Sequence, residues 1–323
     1  MDGLLVVDKP SGPTSHDVVA RTRRVLGEKR IGHTGTLDPM ATGVLLLVLG
    51  KATRLATFLS ASDKSYDAVV RLGFATDTAD AQGRPLGPVS ERPIPSRDAI
   101  DAALETFRGT FMQQPPAFSA KKIDGQRSYK LARAARLKPS RSETSGPSAL
   151  PAVPALPALS SVTTFRLEIL SIGADSVTLG VDCSAGFYVR SLAHDLGERL
   201  GVGAHLTALR RTRTGDFTID QAMSLETAER DPQRAAASVV PLAAMLPHVA
   251  SVVLTADGVQ RAVHGRDIGP GDTVSGESFA TRAQPSVRNP HPVFRLVDPR
   301  GELVAIGRPV GAGGILHPSV VLV

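Results

Sequence analysis

The sequence predicts an α+β fold, in which a mixed or antiparallel sheet packs with helices and a small, mostly β module follows. Three observations favour this class. KSYDAVVRLG (64–73) alternates, with Tyr66, Ala68, Val70 and Leu72 on one side, as a strand does. VLLLVL (44–49) is an apolar run short enough for a buried strand. SRDAIDAALETFRG (96–109) is typical of a helix with a capping serine at its start.

The remaining elements of the first hundred residues follow from local signals. GLLVVDKP (3–10) predicts a short strand that enters a turn. VVARTRRVL (18–26) predicts a helix, with Ser15 as its N-cap and Gly27 as its stop. KATRLATFL (51–59) predicts a second helix.

The middle of the chain predicts a hairpin, an insertion and a strand–helix–strand series. IDGQ (123–126) is a turn signal, so we expect a short hairpin and then a basic helix from about Arg127. Residues 138–160 are rich in Pro, Ser and Ala, which predicts a flexible insertion in a loop. TFRLEIL (164–170) and SVTLGVDCS (176–184) predict paired strands, YVRSLAHDLGERLG (188–201) a helix, and AHLTALRRTRTGDF (204–217) a strand with a basic turn.

The character of the sequence changes after about residue 247. TADGVQRAVHGRDI (255–268) predicts a small helix, and VFRLVDPRGELVAIG (293–307) predicts a hairpin around DPRG. We therefore expect two domains, residues 1–247 and 248–323, and a mobile loop at 275–292.

Composition limits the class of protein. The 323 residues are 42% hydrophobic, enough for a sizeable core. The start MDGLLVVDKP lacks the features of a secretory signal, and the longest apolar run is far shorter than a membrane helix needs. A single cysteine, Cys183, excludes a disulfide framework and is interpreted as structural. We expect a soluble, cytoplasmic protein.

Positive charge is concentrated in one segment, residues 118–142, called the basic arm below. The arm has eight Lys and Arg residues against Asp124, a net charge of +7, whereas the whole chain carries +6. Its basic residues are Lys121, Lys122, Arg127, Lys130, Arg133, Arg136, Lys138 and Arg141. A solvated helix face usually mixes both signs, so the arm favours a polyanionic partner.

Most familiar catalytic motifs are absent from the sequence. GKAT (50–53) resembles half of a P-loop, but Leu45 stands where the motif needs a glycine. No Cys/His cluster has metal-ligand spacing, and no serine lies in a nucleophile elbow. One acid, Asp38, remains inside the glycine-rich stretch GHTGTLDPMATG (32–43).

That stretch resembles the signature of the TruB family of tRNA pseudouridine synthases. GLLVVDKPSGPTSHDVV, KSYDAVVRLGFATDTADAQG and CSAGFYVRSLAHDLGERLG are similar to three further motifs of the family, and AHLTALRRTRTGDF to the segment that follows them. The resemblance covers roughly residues 1–245, and the C-terminal module is similar to a PUA-type RNA-binding domain. Residues 138–160 depart from the family in length and composition.

The resemblance implies conversion of a uridine in the T-loop of tRNA, position 55, to pseudouridine. It implies no cofactor and no metal, and we expect a monomer that binds the tRNA T-arm without a membrane or an obligate protein partner. Asp38 matches the catalytic aspartate, Tyr66 the active-site tyrosine, and Arg190 the arginine that pairs with the aspartate. Further matches line the pocket or lie near the bound RNA loop: Leu209, His33, Lys9, Lys64 and Asp80.

The chemistry suits these residue types. The reaction breaks the C1′–N1 bond, turns the base and joins C1′ to C5, so one ionised carboxylate can attack covalently or take the 2′ proton. The sequence leaves both routes open. A flipped base needs a flat apolar wall, which Tyr66 would supply, and its hydroxyl could help to remove the C5 proton. Phosphates would be neutralised by the arm residues Lys121, Lys122, Arg127 and Lys130.

Simpler interpretations stand beside these. Tyr66 and Leu209 could be ordinary core residues, and Arg190 a surface arginine of its helix. Two other functions also remain: an RNA-binding or tRNA-folding protein that uses the same surface, and a carboxylate-based hydrolase of nucleosides or glycosides. Such hydrolases typically use a second acid at a defined distance, and no matching acid is identified in the sequence.

Overall fold

The computed structural model describes residues 1–119, 121–123, 125–137, 156–276, 292–311 and 314–322. The chain divides into two compact units. The first unit comprises Met1–Ser62 and Arg211–Val323, and the second comprises Asp63–Arg210. Within the described ranges, no helix has the length and apolar character needed to cross a membrane.

The first 62 residues form strands and helices in alternation. In order, these are β1 (Gly3–Lys9), α1 (Ser15–Leu26), β2 (Ile31–Thr34), β3 (Thr42–Leu49) and α2 (Ala56–Ser60). A 3₁₀ helix, Gly50–Leu55, leads into α2. The predicted strands at GLLVVDKP and VLLLVL are confirmed, and KATRLATFL is helical in two successive pieces.

The start of α1 corrects one prediction. Thr14, not Ser15, is the N-cap: its side chain accepts a hydrogen bond from the Asp17 amide, and the Asp17 carboxylate accepts one from the Thr14 amide. This capping box satisfies amides that the first helical turn leaves unpaired. Ser15 is the first helical residue and is buried. Gly27 ends α1 in the left-handed conformation, φ +63°, as predicted.

The described residues of the second unit form ten α-helices and strands. In order, they are β4 (Lys64–Leu72), α3 (Arg97–Leu104), β5 (Gly109–Gln113), β6 (Lys122–Ile123), β7 (Gln126–Arg127), α4 (Ser128–Leu137), β8 (Ser160–Ile172), β9 (Ser176–Cys183), α5 (Val189–Leu200) and β10 (Ala204–Thr214). The last four residues of β10 belong to the first unit. The order β4–β9–β8–β5 is antiparallel throughout. Tyr66, Ala68, Val70 and Leu72 are buried, which confirms the alternation. The hairpin and basic helix after IDGQ are also confirmed; residues 138–155 of the predicted insertion lie outside the described ranges.

The rest of the chain contributes β11 (Phe217–Thr218), β12 (Met223–Ser224), α6 (Leu225–Arg230), α7 (Pro232–Ala237), β13 (Val240–Pro241), β14 (Ser251–Val253), α8 (Ala256–Val263), β15 (Phe294–Val297), β16 (Leu303–Val310) and β17 (Ile315–Val321). The order β14–β15–β16–β17 forms a small sheet, and α8 packs on it through a core that includes Leu254, Ala262 and Phe294. The predicted small helix and hairpin are confirmed. Of the loop predicted to be mobile, residues 277–291 lie outside the described ranges.

In the first unit, β1 lies between β3, to which it is antiparallel, and β12, to which it is parallel. The register places Leu4 opposite Val48 and Lys9 opposite Gly43. One core cluster includes Leu4 and Leu46 together with Leu303 of β16. The N-terminal strands and the C-terminal sheet therefore share buried apolar side chains, and the division at residue 247 stays a prediction.

Candidate functional site

Asp38 lies in the segment between β2 and β3, and residues 35–44 are called the Asp38 loop below. The side chain is half-buried. The Ala41 amide donates a hydrogen bond to the Asp38 carbonyl oxygen at 3.1 Å, which closes a tight turn around Pro39 and Met40. The carboxylate is thus presented from a compact turn.

The side chain of Lys9 is hydrogen-bonded to this turn. It is the last residue of β1 and is fully buried, and its Nζ donates hydrogen bonds to Pro10 O at 2.9 Å, Pro39 O at 3.1 Å and Ala41 O at 2.7 Å. Burial lowers the pKa of Lys9 from 10.5 to about 8; the Asp38 carboxylate opposes this change and Arg211 adds to it. Its contact with RNA stays a prediction, because the hydrogen bonds that we see go to backbone carbonyls.

Two residues that the sequence did not indicate also hold the Asp38 loop. Ser15 Oγ donates to Leu37 O at 3.1 Å and accepts from the Leu37 amide at 2.9 Å. Arg211 is 1% exposed, and its guanidinium donates to Val44 O at 2.7 Å and Gly35 O at 2.9 Å. Both sides of the loop are therefore joined to the neighbouring α1 and β10.

His33 lies on β2, close to the start of the same loop. It is half-buried, and its ring meets the ring of His16 edge to face, with centroids 5.1 Å apart. His16 belongs to the first turn of α1, so the helix orients His33 through this contact.

In the second unit, Arg190 stands at the start of α5, as predicted, and is 5% exposed. Nη1 lies 3.8 Å from Asp80 Oδ2 and donates to Thr78 O at 3.2 Å, while Nη2 donates to Phe118 O at 2.8 Å. Arg190 therefore joins Thr78 and Asp80 to Phe118, the first residue of the basic arm. Pairing of Arg190 with Asp38 stays a prediction.

Asp80 is buried and forms its own network. Its Oδ1 accepts hydrogen bonds from Thr78 Oγ1 at 2.6 Å and from the Gln82 amide at 3.0 Å. Ala79 has φ +59°, a left-handed conformation that costs an L-residue roughly 1–2 kcal/mol. Hydrogen bonds between Leu206 and the main chain of Ala79 and Ala81 hold the strained loop on β10.

The position of Arg190 depends on the start of α5. Gln113, 2% exposed, donates to Tyr188 O at 3.0 Å and accepts from the Tyr188 amide at 2.8 Å. Ser191 Oγ donates to Gln114 O at 2.7 Å. The N-cap residue Tyr188 makes no side-chain cap hydrogen bond, so the start of α5 is fixed by these contacts from Gln113 and Gln114, and no local pattern in the sequence indicated them.

Three other predicted site residues are buried in the second unit. Lys64 and Tyr66 lie on β4, opposite Cys183 and Val181 of β9, and Leu209 lies on β10. Each is 7% exposed. The buried Cys183 donates to Lys64 O at 3.7 Å, which agrees with a structural cysteine.

The described part of the basic arm is a short hairpin and a helix. Ser128 fixes its base: Oγ donates to Ala117 O at 2.6 Å, and its amide donates to Lys121 O at 2.7 Å. The side chains of Lys121, Arg127 and Lys130 are exposed, and Lys122 lies in β6. Three of the four predicted phosphate-binding residues, Lys121, Arg127 and Lys130, are thus exposed to solvent.

Among the described residues, no group of three or more His, Cys, Asp or Glu side chains is arranged to hold a metal ion. The described residues thus provide the half-buried Asp38 carboxylate in a fixed turn and three exposed cations of the basic arm, Lys121, Arg127 and Lys130. They also provide the buried Arg190, which contacts both Asp80 and Phe118.

Comparisons with solved structures show the fold class. A chain in an H/ACA RNP bound to a substrate RNA containing 2′-deoxyuridine has a TM-score of 0.68 and 24% identity, over 99% of this chain and 85% of that chain. A chain in a Cbf5–Nop10–Gar1 complex has a TM-score of 0.66 and 26% identity, over 96% and 79%. The chain therefore shares its overall fold with these two chains.

Sequence comparisons narrow the class. The model of the TruB family pseudouridylate synthase N-terminal domain matches residues 23–144, and that of the tRNA pseudouridylate synthase B C-terminal domain matches 190–246. The tRNA pseudouridine synthase B of Solibacter usitatus is 40% identical over the whole of both chains. That of Thermobifida fusca is 46% identical over 83% of this chain and 87% of its own. The chain belongs to the TruB family of pseudouridylate synthases.

Proposed function

We propose that the protein converts uridine 55 in the T-loop of tRNA to pseudouridine, with Asp38 as the essential acid. The observation that carries the proposal is the Asp38 loop, a turn joined to buried Lys9, Ser15 and Arg211. The family supports isomerisation of uridine, and the relatives named tRNA pseudouridine synthase B support tRNA as the substrate.

The reaction is an isomerisation, so its atoms balance within the RNA and solvent. The C1′–N1 bond breaks, the uracil turns without leaving, and a C1′–C5 bond forms. N1 then gains a proton and C5 loses one. Asp38 either bonds to C1′ and is later displaced, or takes the 2′ proton to give a glycal and returns it.

The other site residues would act on the same uridine. Tyr66 would stack on the flipped base, and its hydroxyl would help to remove the C5 proton. Arg190 would balance the negative charge of Asp38, and Leu209 would close the apolar wall. His33, Lys64 and Asp80 would order the bound RNA loop; Lys9 would act on it through the turn that it holds.

The exposed side chains of the arm support phosphate binding. Replacing Lys121 and Lys130 together by Gln should weaken tRNA binding and make its logarithmic salt dependence shallower by roughly 1.5, the value expected for two lost phosphate contacts. Lys29 is an exposed lysine outside the arm, so Lys29→Gln is the matched control. Filter binding at several salt concentrations measures the slope, and an unchanged slope in the double variant would contradict this role.

The function is tested by tritium release from an unmodified tRNA transcript labelled at uridine C5. Wild type should release tritium, whereas Asp38→Asn should lose roughly 10⁴-fold or more of the rate and bind tRNA almost normally. Asp67→Asn is the control, because Asp67 is an exposed carboxylate on β4. A transcript with cytidine at position 55 should give no release. Release by Asp38→Asn would refute the assignment of Asp38, and release from the cytidine transcript would refute position 55.

The charge of the arm also favours a second activity, assistance of tRNA folding. Asp38→Asn separates the two activities, since a folding activity would survive in this variant.

We further propose that the protein acts as a monomer in the cytoplasm, where its tRNA substrate is found. Light scattering with and without tRNA tests the monomer.

A further inference from the structure

Arg211 joins the two ends of the Asp38 loop. Its Nη2 donates to Gly35 O, three residues before Asp38, and its Nε donates to Val44 O, six residues after it. Because the guanidinium is planar and rigid, these two bonds fix the separation of the loop ends.

The main chain of Arg211 is fixed against the same loop. Gly43 has φ +99°, and a Cβ built on it would overlap the carbonyl oxygen and amide nitrogen of Arg211. The two backbones approach too closely for any side chain at residue 43. Arg211 therefore contacts the loop through both its backbone and its side chain.

The position of Arg211 is electrostatically costly. It is 1% exposed and lies near enough to buried Lys9 to lower the pKa of that amine, so two like charges share one interior. Buried charges of this kind often contribute less to stability than apolar side chains of similar volume. The Asp38 carboxylate has the opposite effect to Arg211 and raises the pKa of Lys9. Two cations around one catalytic loop indicate a use beyond folding.

We propose that Arg211 is a positioning residue for the isomerisation: it fixes the loop ends so that the Asp38 carboxylate meets the ribose in reactive geometry. At 1% exposure it offers no surface to the RNA and acts through the loop. The inference rests on the proposed function, since Asp38 must be the reacting acid for its orientation to affect the rate.

Single-turnover tritium release and tRNA binding test the proposal in Arg211→Gln and Arg211→Lys. Arg211→Gln loses the charge and the rigid fork, so its rate constant should fall about 100-fold, the effect of a displacement near 1 Å. Arg211→Lys keeps the charge but replaces the fork by one amine, and should fall about 10-fold. The dissociation constant for tRNA should stay within about threefold in both, because only orientation changes. Arg213→Lys, two residues along β10, is the matched control and should keep the wild-type rate.

The outcomes separate this inference from the proposed function. No release by wild type would refute the function itself. An active wild type with an unchanged rate in folded Arg211→Gln would overturn the inference, as would a loss of rate matched by an equal loss of tRNA affinity. Thermal unfolding shows whether the variants are folded. If Arg211→Gln does not fold, the rate of Arg211→Lys decides; if neither folds, Arg211 serves folding and the inference is also overturned.

Discussion

Two aspartates of the predicted site are held in different ways. In the first unit, two buried cations bind backbone carbonyl oxygens of the Asp38 loop: Lys9 binds those of Pro39 and Ala41, and Arg211 those of the loop ends. In the second unit, the Asp80 carboxylate itself accepts two hydrogen bonds, and the Arg190 guanidinium lies 3.8 Å from it.

The difference indicates different roles. The Asp80 carboxylate already binds donors of the protein itself, from Thr78 and Gln82. This arrangement suits a residue that orders a loop and an arginine. Asp38 is placed through hydrogen bonds to the main chain on both sides of it, which fix the turn that carries its side chain. We therefore expect changes around Asp38 to affect catalysis and changes at Asp80 to affect the framework first.

The largest predicted effect on stability is that of Lys9→Met. The variant removes a buried amine and leaves three carbonyl oxygens without their donor, so the free energy of unfolding should fall by roughly 3–5 kcal/mol. The turn at Asp38 should loosen, and the rate of tritium release should fall with it. Urea unfolding measures the first effect; equal stability of wild type and variant would show that Lys9 does not hold the loop. Lys51→Met, at a half-buried lysine of the same unit, is the control.

The pH dependence of stability should report on the same lysine. In the unfolded chain Lys9 titrates near 10.5 and in the folded protein near 8, so between these values the unfolded state binds more protons. The stability of wild type relative to Lys9→Met should therefore rise from pH 8 to pH 10.5, by roughly 3 kcal/mol, and stay level below pH 8. Urea unfolding of wild type and Lys9→Met at several pH values across this range tests the prediction. A difference in the free energy of unfolding that is independent of pH would show that Lys9 is not a buried cation with a lowered pKa.

A smaller effect is expected where a carboxylate and a cation interact directly. Asp80→Asn should lower the free energy of unfolding by about 2 kcal/mol, because it removes the charge beside a buried guanidinium. With Arg190→Gln in a double-mutant cycle, the coupling energy should be about 1–2 kcal/mol. Additive effects of the two substitutions would show that Asp80 and Arg190, 3.8 Å apart, do not stabilise the fold through their mutual attraction. Arg71→Gln with Asp175→Asn, an exposed pair in the same unit, should couple by less than about 1 kcal/mol.

Local patterns predicted most of the fold. The apolar run of β3, the alternation of β4 and the helix that begins near Arg190 depend on neighbours in sequence, so the sequence predicts them well. The sequence places the cap of α1 at Ser15, one residue late, because serine and threonine are both favoured at N-caps and serine slightly more so. The choice is made by tertiary contact: Ser15 is bound to Leu37 and leaves the cap to Thr14.

The arrangement around Asp38 could not be predicted in the same way. The segment AHLTALRRTRTGDF (204–217) predicts a strand with a basic turn, yet Arg211 within it is buried, since Gly43 on the neighbouring strand lets the Arg211 backbone come close. Resemblance supplied Asp38, Tyr66 and Arg190 as site residues, but a motif does not state which oxygen each cation binds. Those partners are up to 176 residues apart in sequence.

The smallest prediction compares two adjacent residues at the start of α1. Thr14→Ala removes the cap and should cost about 1 kcal/mol of stability, with the rate of isomerisation unchanged, because Thr14 bonds within the helix. Ser15→Ala leaves the amide and carbonyl of Leu37 without partners, so it should cost about 1–3 kcal/mol. It should also slow single-turnover tritium release, because Leu37 precedes Asp38. If both variants slow the reaction equally, or neither does, the bond from Ser15 stabilises the helix start and does not position the acid.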